Sequence, residues 1–294
     1  MKILYLSRSK NDYAQIRFKE EAEKKGLEIR AFNYAHLCFR LSLEGFDIFG
    51  EGREKLKDFD FLILRSPGLT RRYVWQEKVL VDWFLKRKKR VLNGKTLKFF
   101  PEDFDKLWQN YFFYLAKIPF VPTEWFGCPN LLKEKKEFPF IVKRLVGSLG
   151  RDLQLIKNES QVEKFLRFKH PYEFIVQEFL PTGEDYRLIV LGGEVLGIMK
   201  RKAKKGQVAT NVAVGGKAEK ASFKPELVEL AKKACSLLKC EFAGVDIMYD
   251  LRGNPYVLEV NRYPVFKGFE KATGINVAKK VVEYLISERR NAGR

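Results

Sequence analysis

The stretch from Glu241 to Asn261 constrains the fold of this chain more than any other part of the sequence. It holds two short apolar runs, Val245–Tyr249 and Tyr256–Val260, and the segment between them reads DLRGNP. Apolar runs of this length on either side of a turn that contains Gly and Pro predict a β-hairpin. We therefore expect two antiparallel strands here, joined by a short loop.

The polar residues of this hairpin are expected to meet on one face. Side chains alternate between the two faces of a strand, so Asp246 and Met248 share a face, and so do Val257, Glu259 and Asn261. If Met248 pairs with Val257, Asp246 lies directly opposite Glu259, and Asn261 follows just beyond. The three side chains that carry oxygen would then form one row.

This row of oxygen atoms indicates a metal site. Two carboxylates directly opposite each other repel and destabilise a hairpin, so a positive charge is expected between them. Mg²⁺ suits the arrangement, because it takes one or two carboxylates and fills its octahedron with water and phosphate oxygens. The competing interpretation is that both carboxylates face water on a half-exposed sheet. The presence of Asn261 and the apolar surroundings favour the metal.

Length and composition bound the class of protein. A chain of 294 residues can form two or three compact units, and its content of 46% hydrophobic and 14% aromatic residues is typical of a globular protein. No apolar run approaches the roughly 18 residues that a membrane span needs, and no signal peptide opens the chain. We therefore expect a cytoplasmic protein with no membrane partner.

The cysteines and histidines argue against several kinds of site. Cys38, Cys128, Cys235 and Cys240 form no CxxC pair and lie in apolar contexts, which predicts free buried thiols in a reducing compartment. The two histidines, at positions 36 and 170, lie near no other candidate ligand in the sequence. This argues against a zinc site and against a Ser-His hydrolase.

The formal net charge of +19 predicts attraction to something anionic. Nucleic acid, nucleotide phosphates and an acidic protein tail would all fit. A Lys-rich solvated surface, as thermophilic proteins often carry, would give the same charge. Charge alone does not choose between these interpretations.

Residues 1–92 have the pattern of a βαβ-type unit. The predicted strands are Lys2–Ser7, Leu27–Phe32 and Asp60–Leu64, and the predicted helices are Asp12–Lys25 and Arg71–Arg90. Arg65 follows the third strand at its carboxyl end, where α/β sheets bind ligands, so it is a candidate contact for an anionic substrate. Residues 33–58 show no clear element.

Residues 93–175 predict a second unit, with strands at Phe138–Leu145, Leu153–Lys157 and Glu173–Phe179 and helices at Pro101–Lys117 and Ser160–Phe168. Lys143 lies in a near-continuous apolar strand, where a buried lysine needs an anionic partner such as phosphate. The loop GSLG that follows could let backbone amides approach phosphate oxygens, although an ordinary tight turn would have the same sequence. No Walker motif is present.

Residues 176–294 complete the chain. Two strands flank the turn LGGE, and the basic loop Lys200–Gly206 follows the second of them. An amphipathic helix is predicted at Pro225–Lys239, ahead of the hairpin described above, and a last helix at Ile275–Glu288. No internal repeat or low-complexity segment is visible.

Five motifs, IVK, QEFL, EDYRL, GVDI and LEVN, resemble in their order and spacing those of the ATP-grasp carboxylate–amine ligases of the RimK-like, alpha-L-glutamate ligase type. The similarity runs from about Val91 to Val282 and includes the string GFEKATGINVA. Residues 1–90 match only in their general α/β pattern. One motif such as QEF would be unspecific, but five in register are highly specific.

The resemblance implies an α/β protein with the ATP-grasp fold. An N-terminal Rossmann-like, pre-ATP-grasp domain would span residues 1–92. A central α+β subdomain would span 93–175, and a C-terminal α+β subdomain with the metal site would span 176–294. ATP would be clamped between the sheets of the last two parts.

The resemblance also implies a set of residues that bind ATP. Lys106 and Lys143 match the two family lysines that contact the phosphates, and Gly147–Gly150 matches the mobile glycine loop above them. The implied ATP-binding residues are Lys106, Lys143, Gly147, Ser148, Gly150, Gln177, Glu178, Phe179, Leu180, Asp185 and Asn211. Within this set, Glu178 and Phe179 match the segment that hydrogen-bonds adenine.

The implied catalytic and metal-binding residues lie on the third part of the chain. Arg187 and Arg201 match arginines near the transferring phosphoryl group and the acyl acceptor. Asp246, Glu259 and Asn261 match the Mg²⁺ ligands, in agreement with the hairpin argument, and Mn²⁺ is an alternative ion.

This chain departs from the family pattern around the acceptor substrate. The family often has arginine at the positions of Ala209 and Val214. Arg262 and Tyr263 are bulkier than the small residues typical of members that add glutamate, and Val265 replaces a glycine. The ATP and metal residues are intact, so the departures bear on which acceptor is used.

The implied reaction joins a carboxylate, activated by ATP as an acyl phosphate, to an amine such as the amino group of glutamate. The implied acceptor is a protein C-terminus, an acidic carrier protein or a glutamyl cofactor. Basic residues around the predicted cleft, Lys200–Lys205 and Arg262, also indicate an acidic acceptor. A homo-oligomer is compatible with the sequence.

Two alternatives belong to other functional classes. A nucleic-acid-binding protein with regulatory nucleotide binding would account for the net charge, although no recognised binding module is visible. An ATP-dependent phosphoryl transferase could be built on the same scaffold. The ligase is the preferred interpretation.

Overall fold

The computed structural model describes residues 1–9, 11–65, 73–100, 105–147, 153–204, 210 and 216–288, together with the backbone of 289–292. The chain forms two compact units. The first consists of Met1–Glu102, Lys239–Phe242 and Arg262–Arg294, and the second of Asp103–Leu238 and Ala243–Asn261. The predicted division of the chain at 92/93 and 175/176 stays a prediction.

The first unit is built on a parallel sheet of four strands, β1 (Lys2–Ser7), β2 (Glu28–Asn33), β5 (Phe61–Leu64) and β6 (Arg90–Val91). Their order in the sheet is β2-β1-β5-β6. The apolar runs in β1 and β5 are buried, as expected for parallel strands that are covered on both faces. The Rossmann-like N-terminal fold predicted from the sequence is confirmed.

The helices of this unit come from both ends of the chain. They are α1 (Tyr13–Glu23), α2 (Val74–Lys86), α3 (Gly94–Phe99), α8 (Lys267–Thr273) and α9 (Val277–Ala292). The predicted helix Arg71–Arg90 is too long at its C-terminal end. Lys88 has a positive φ of 55°, which ends the helical path, and Arg90 pairs with Phe61 in the sheet.

A small hairpin lies in the stretch for which the sequence indicated no element. Strands β3 (Cys38–Ser42) and β4 (Gly45–Phe49) pair with each other as a separate two-stranded sheet. Phe39 and Phe46 stack, and both pack against the core of the unit. Apolar residues on one side of the hairpin therefore attach it to the core.

The side chain of Asn93 forms hydrogen bonds with the backbone of two other segments of the first unit, Lys239–Phe242 and Arg262–Arg294. It has a positive φ of 65°, a conformation that asparagine adopts more readily than most residues, and its side chain is buried. Its Nδ2 donates to the carbonyls of Phe242 (2.7 Å) and Arg262 (2.8 Å). Its Oδ1 accepts from the backbone amides of Glu241 and Phe242, each at 2.8 Å. These four hydrogen bonds take the place of water for backbone groups that are fully or partly buried.

Replacing Asn93 with glycine is expected to lower the free energy of unfolding by about 3 kcal/mol, because backbone groups that the side chain satisfies would remain buried without partners. Glycine tolerates the positive φ, so the loss would report the hydrogen bonds alone. Urea unfolding measures the change. Asn11→Gly is the matched control, since Asn11 also has a positive φ of 61° but is exposed. Equal effects for the two variants would contradict this account.

The second unit contains two sheets with antiparallel strand pairs. The first has the order β7-β10-β8-β9 and consists of β7 (Thr123–Trp125), β8 (Phe140–Arg144), β9 (Gln154–Ile156) and β10 (Phe174–Glu178). The second consists of β11 (Glu184–Leu191), β12 (Glu194–Lys202), β13 (Lys217–Lys220), β14 (Phe242–Tyr249) and β15 (Pro255–Asn261). Their order in the sheet is β13-β12-β11-β14-β15.

The helices of the second unit are α4 (Lys106–Leu115), α5 (Pro129–Lys133), α6 (Glu159–Leu166) and α7 (Pro225–Leu237). The helix α4 is shorter than the predicted helix Pro101–Lys117. Residues 101–104 of that prediction lie outside the described part of the chain. Asp105 begins α4 by accepting a hydrogen bond from the backbone amide of Trp108 at 2.7 Å. This cap places Lys106 in the first turn of the helix.

The cysteines differ in part from the prediction. All four are free, as expected, and Cys235 and Cys240 are buried. Cys38 and Cys128 are exposed, so the prediction of burial is wrong for these two. Within the described part of the chain, no helix combines the length and the apolar character needed to cross a membrane.

Candidate active site

The β14–β15 hairpin pairs Asp246 directly with Glu259, so the predicted opposition of the two carboxylates is confirmed. Asn261 lies two residues beyond Glu259 and donates from its Nδ2 to Glu259 Oε1 at 3.0 Å. Asp246 is buried at 4% exposure, while Glu259 is half-buried. The three side chains form one contiguous group on two neighbouring strands.

A bulge in β15 sets the direction of Glu259. Leu258 is an extra residue between two adjacent pairs of the ladder, which are Asp246–Glu259 and Ile247–Val257. Such a bulge bends the strand and changes which face each later side chain occupies.

The predicted register beyond the carboxylate pair is wrong. Met248 pairs with Tyr256 and not with Val257. Val257 and Val260 both face the core, each 1% exposed, although they are three positions apart. Val257 therefore does not share the face of Glu259, as strict alternation would require, because the bulge interrupts the alternation.

Lys106 connects Glu259 with the start of the glycine loop. Its Nζ lies 3.4 Å from Glu259 Oε2 and donates to the carbonyl of Gly147 at 3.1 Å. The backbone amide of Lys106 also donates to the carbonyl of Leu145 at 3.2 Å. The lysine side chain is only 12% exposed, so its charge is directed into the unit and not into bulk solvent.

Two arginines hold two aspartates in bidentate pairs. Arg187 Nε donates to Asp246 Oδ1 at 2.7 Å, and its Nη2 donates to Oδ2 at 2.6 Å. Arg201 binds Asp185 in the same way, with both distances at 2.6 Å. Thr210 Oγ1 donates to Asp185 Oδ2 at 2.7 Å, and Arg201 Nη2 lies 3.1 Å from Asp246 Oδ2. A bidentate, charge-assisted pair of this kind, here called a fork, is strong and geometrically specific.

These pairs keep the buried groups charged. Burial would raise the pKa of Asp246, but the guanidiniums of Arg187 and Arg201 more than offset it and hold the pKa at about 2. Burial would lower the pKa of Arg201, but Asp246 and Asp185 raise it above its ordinary value. Asp246 therefore carries its negative charge at any pH at which the protein would work.

Lys143 lies on β8 and faces the same charged group. Burial of its ammonium group lowers the pKa to about 8, while Glu259 acts to raise it and Lys106 acts to lower it further. The strand is apolar up to this position, as the sequence predicted. The carboxylates of Asp246 and Asp185 also act to raise this pKa, so Lys143 belongs to the same network of charges as the carboxylates of the hairpin.

We expect Lys143 to bind the phosphates of ADP, so the affinity for ADP should fall above pH 8, where the ammonium group of this lysine loses its proton. Each pH unit above the pKa of the free protein should weaken binding by up to about tenfold, since one proton must be taken up. Calorimetry without metal ions, between pH 6.5 and 9.5, would show the slope. Lys143→Arg keeps its charge over this range and should give a flat profile. An unchanged slope in that variant would contradict the assignment.

The predicted nucleotide contacts Gln177 and Glu178 are the last two residues of β10, and Phe179 and Leu180 follow them. Gln177 Nε2 and Asn110 Nδ2 both donate to Thr123 Oγ1, at 2.8 and 2.7 Å. Glu178 is exposed, and Phe179 and Leu180 are half-buried. Among the described residues, no hydrogen bond or ion pair joins these four side chains to the carboxylates of the hairpin.

The remaining predicted site residues lie partly outside the described chain. Of the glycine loop, Gly147 is described, whereas Ser148 and Gly150 lie outside the described residues, as does Asn211. The departures Ala209 and Val214 lie outside them as well. The described members that contact one another are Lys106, Gly147, Asp185, Arg187, Arg201, Asp246, Glu259 and Asn261.

Two residues of the group were missed by the sequence interpretation. Thr210 completes the hydrogen bonds of Asp185. Gln109 is buried on α4, and its Oε1 accepts the backbone amide of Val260 at 2.8 Å, next to Glu259. Gln109 follows Lys106 by three positions, so the helical period places both on one face. That spacing was the signal available in the sequence.

Two basic residues outside the group have other contacts. In the first unit, Arg65 Nη1 donates to the carbonyl of Pro264 at 3.0 Å. Arg262 is buried and donates to the carbonyl of Phe100 at 2.5 Å. Arg262 therefore is not the open cation that the acidic-acceptor argument assumed, and its guanidinium has a structural role.

The donor set of the hairpin fits a hard cation. Two carboxylates and one amide oxygen are the ligand types that Mg²⁺ accepts, with its other positions filled by water and phosphate. In the described part of the chain, no three His, Cys, Asp or Glu side chains gather as a metal cluster. An ion bound by these three side chains would leave its other positions to water or to a ligand.

Family models match most of the chain. The RimK-like ATP-grasp domain matches residues 129–285, and the RimK PreATP-grasp domain matches residues 1–73. The first of these matches covers more than half of the chain. The chain belongs to the RimK-like ATP-grasp family. It is therefore an ATP-dependent carboxylate–amine ligase, and the interpretation based on the five motifs is confirmed.

Curated relatives extend over nearly the whole chain. A probable alpha-L-glutamate ligase of Aeromonas salmonicida (strain A449) is 29% identical over 97% of this chain and 96% of that protein. Probable alpha-L-glutamate ligase 1 of Shewanella frigidimarina (strain NCIMB 400) is 30% identical over 97% of this chain and 95% of that protein. Family membership thus does not depend on one segment.

Solved structures of ATP-grasp ligases share the fold. The ligase PsnB, complexed with a phosphomimetic variant of a minimal precursor, Mg and ADP, matches with a TM-score of 0.73 at 18% identity, covering 98% of both chains. A RimK domain ATP-grasp protein from Sphaerobacter thermophilus DSM 20745 matches with a TM-score of 0.68 at 19% identity, covering 97% of this chain and 99% of that one. The predicted ATP-grasp fold is confirmed.

Proposed function

We propose that this enzyme uses ATP and Mg²⁺ to join a carboxylate to the amino group of an amino acid such as glutamate. The observation that carries the proposal is the charged group of the second unit. There Asp246 lies opposite Glu259, Lys106 lies 3.4 Å from Glu259, and Arg187 and Arg201 contact Asp246. The relatives named as probable alpha-L-glutamate ligases support glutamate as the amine.

Asp246, Glu259 and Asn261 are proposed to hold the metal. When bound, Mg²⁺ would neutralise charge on the phosphates of the nucleotide, and Mn²⁺ is the alternative ion. The protein contributes by keeping Asp246 ionised, through the two guanidiniums, and by aiming Glu259 with the bulge at Leu258.

The nucleotide is proposed to lie against the side chains that the family motifs mark. Lys106 and Lys143 would bind its phosphates, below a loop formed by Gly147, Ser148 and Gly150. The remaining proposed contacts are Gln177, Glu178, Phe179, Leu180, Asp185 and Asn211. For Asp185 the fork with Arg201 indicates that its contribution is to orient this arginine.

The proposed reaction has two steps. An oxygen of the substrate carboxylate attacks the γ-phosphorus, the bond to the bridging oxygen breaks, and ADP leaves with that electron pair. The amine nitrogen then attacks the acyl carbon, phosphate leaves, and the amine gives up a proton as the amide forms. Arg187 and Arg201 would neutralise the charge that develops on the transferring group, as positioned cations do in other phosphoryl transfers.

The acceptor is proposed to be acidic, such as a protein tail, a carrier protein or a glutamyl cofactor. The net charge of +19 supports this. Part of the basic loop is already neutralised, since Lys200 pairs with Glu184 at 2.6 Å and Lys202 with Glu219 at 3.3 Å. Lys204 is exposed, and no ion pair involves it among the described residues. The overall charge therefore supports an acidic acceptor more strongly than this loop does.

The test is a screen for ADP release with amino acids paired against acidic proteins and small carboxylates, followed by mass spectrometry of the products. The expected product carries an amide-linked amino acid, with ADP and free phosphate in equal amounts. ADP with a stable phosphorylated product would identify a phosphoryl transferase instead. Tight RNA binding without ATP consumption would favour a nucleic-acid-binding protein.

Salt dependence distinguishes the kinds of acceptor. An extended acidic protein makes many screened contacts, so its turnover should fall steeply as the ionic strength rises. A small carboxylate makes few such contacts and should show a shallow dependence. A flat response with every productive acceptor would argue against an acidic macromolecule.

A further inference from the structure

The carboxylate of Asp246 has most of its hydrogen-bonding capacity in use. Each oxygen of an ionised carboxylate offers about two lone pairs. Oδ2 lies 2.6 Å from Arg187 Nη2 and 3.1 Å from Arg201 Nη2, and Oδ1 accepts from Arg187 Nε at 2.7 Å. By these contacts Oδ2 is fully used, and Oδ1 keeps one lone pair for a further ligand.

The contacts of Glu259 leave its carboxylate more open. Oε1 accepts one hydrogen bond, from Asn261 Nδ2, and Oε2 lies 3.4 Å from Lys106 Nζ. The Glu259 side chain is 21% exposed. Each of its oxygens therefore keeps capacity for another contact. Of the two opposed carboxylates, Asp246 is the one whose coordination is restricted by the protein.

We infer that the fork from Arg187 limits Asp246 to one ligating oxygen and so makes this metal site prefer Mg²⁺ to Ca²⁺. Mg²⁺ demands six ligands in an octahedron, and a single carboxylate oxygen satisfies one position. Ca²⁺ takes six to eight oxygens and often binds both oxygens of one carboxylate. The inference rests on the proposed function, because it assumes that Asp246 and Glu259 hold the metal.

The fork between Arg187 and Asp246 is supported by a second arginine, Arg201. Arg201 contacts Oδ2 of Asp246 while both oxygens of Asp185 hold it, and Thr210 secures Asp185 in turn. Arg187 itself is buried, so leaving Asp246 would expose its guanidinium to an interior without a partner. A cation that requires both oxygens of Asp246 must first displace this arginine.

The test compares Mg²⁺ and Ca²⁺ binding in the wild-type protein and in Arg187→Lys, by calorimetry with ADP present. Lysine keeps the positive charge but lacks the planar pair of N–H donors that holds both oxygens in one fixed geometry. The ratio of the two affinities is expected to shift toward Ca²⁺ by about tenfold, the scale on which such supporting contacts alter metal affinity. Arg17→Lys is the matched control, because Arg17 belongs to the first unit and contacts Glu20 and Glu270 there.

The outcomes separate the inference from the proposed function. If the wild-type protein binds neither ion with ADP, the proposed metal site fails. If it binds Mg²⁺ and the ratio is unchanged in Arg187→Lys, the inference alone fails. Should that variant not fold, a crystal structure of the wild-type protein with Ca²⁺ and ADP decides. Ca²⁺ bound by one oxygen of Asp246 is expected, and Ca²⁺ bound by both would overturn the inference.

Discussion

Replacement of Glu259 by glutamine or alanine is expected to lower the rate of ADP release by about a hundredfold or more, with the fold retained. Glu259 is a proposed metal ligand, and Lys106 lies 3.4 Å from it. Removing its charge therefore disturbs both the metal and a lysine proposed to bind phosphate. Glutamine keeps the shape and leaves one amide oxygen, so its residual activity should exceed that of alanine.

The measurement is a coupled assay of ADP release with a productive acceptor, together with circular dichroism to show that the variants are folded. Glu219→Ala is the matched control. Glu219 is an exposed glutamate on β13 of the same sheet, and its carboxylate pairs with Lys202. Turnover of Glu259→Ala near the wild-type rate would remove the metal assignment and the reaction proposed from it.

Replacement of Asp185 by alanine is expected to lower the free energy of unfolding by about 3–5 kcal/mol, because Arg201 would stay buried without its main partner. Both residues are almost inaccessible to solvent. The double variant Asp185→Ala, Arg201→Met should recover most of this loss, since an apolar side chain needs no counter-charge. Stability would return without activity, because the arginine proposed for catalysis is gone.

Urea unfolding without nucleotide measures these changes. Glu194→Ala serves as the control, since it removes an ion pair of the same sheet whose glutamate side chain is 76% exposed. Such an exposed pair should cost no more than about 1 kcal/mol. If the single variant Asp185→Ala is as stable as Glu194→Ala, the buried network is not held together by this aspartate.

Much of the fold could be predicted from the sequence, because local patterns specify it. The runs that form β1, β5 and β14 are apolar and short, so burial on a sheet was the consistent interpretation. The β3–β4 hairpin was missed, since β3 is largely exposed and each of the two strands carries a charged residue. Its order depends on Phe39 and Phe46, and their packing against a distant core is not a local pattern.

The contacts within the candidate site could be predicted from the sequence only in part. Alternation correctly placed Asp246 opposite Glu259, yet it gave the wrong partner for Met248, because nothing in the sequence marks Leu258 as the bulged residue. The fork of Arg187 joins two side chains that are 59 positions apart, and the fork of Arg201 joins two that are 16 positions apart. Such pairings follow from the arrangement of the sheet and not from any spacing along the chain.

The extra residue in β15 could be removed without turning the carboxylate over. Val257 and Glu259 already lie on opposite faces of the sheet. A chain shortened by one residue at Leu258 would make them neighbours in a regular strand, where adjacent residues also occupy opposite faces. Such a deletion would keep every charged side chain of the site and alter only the bend of the strand. Turnover by the shortened chain would therefore show how far the reaction depends on backbone shape, separately from the identity of the ligands.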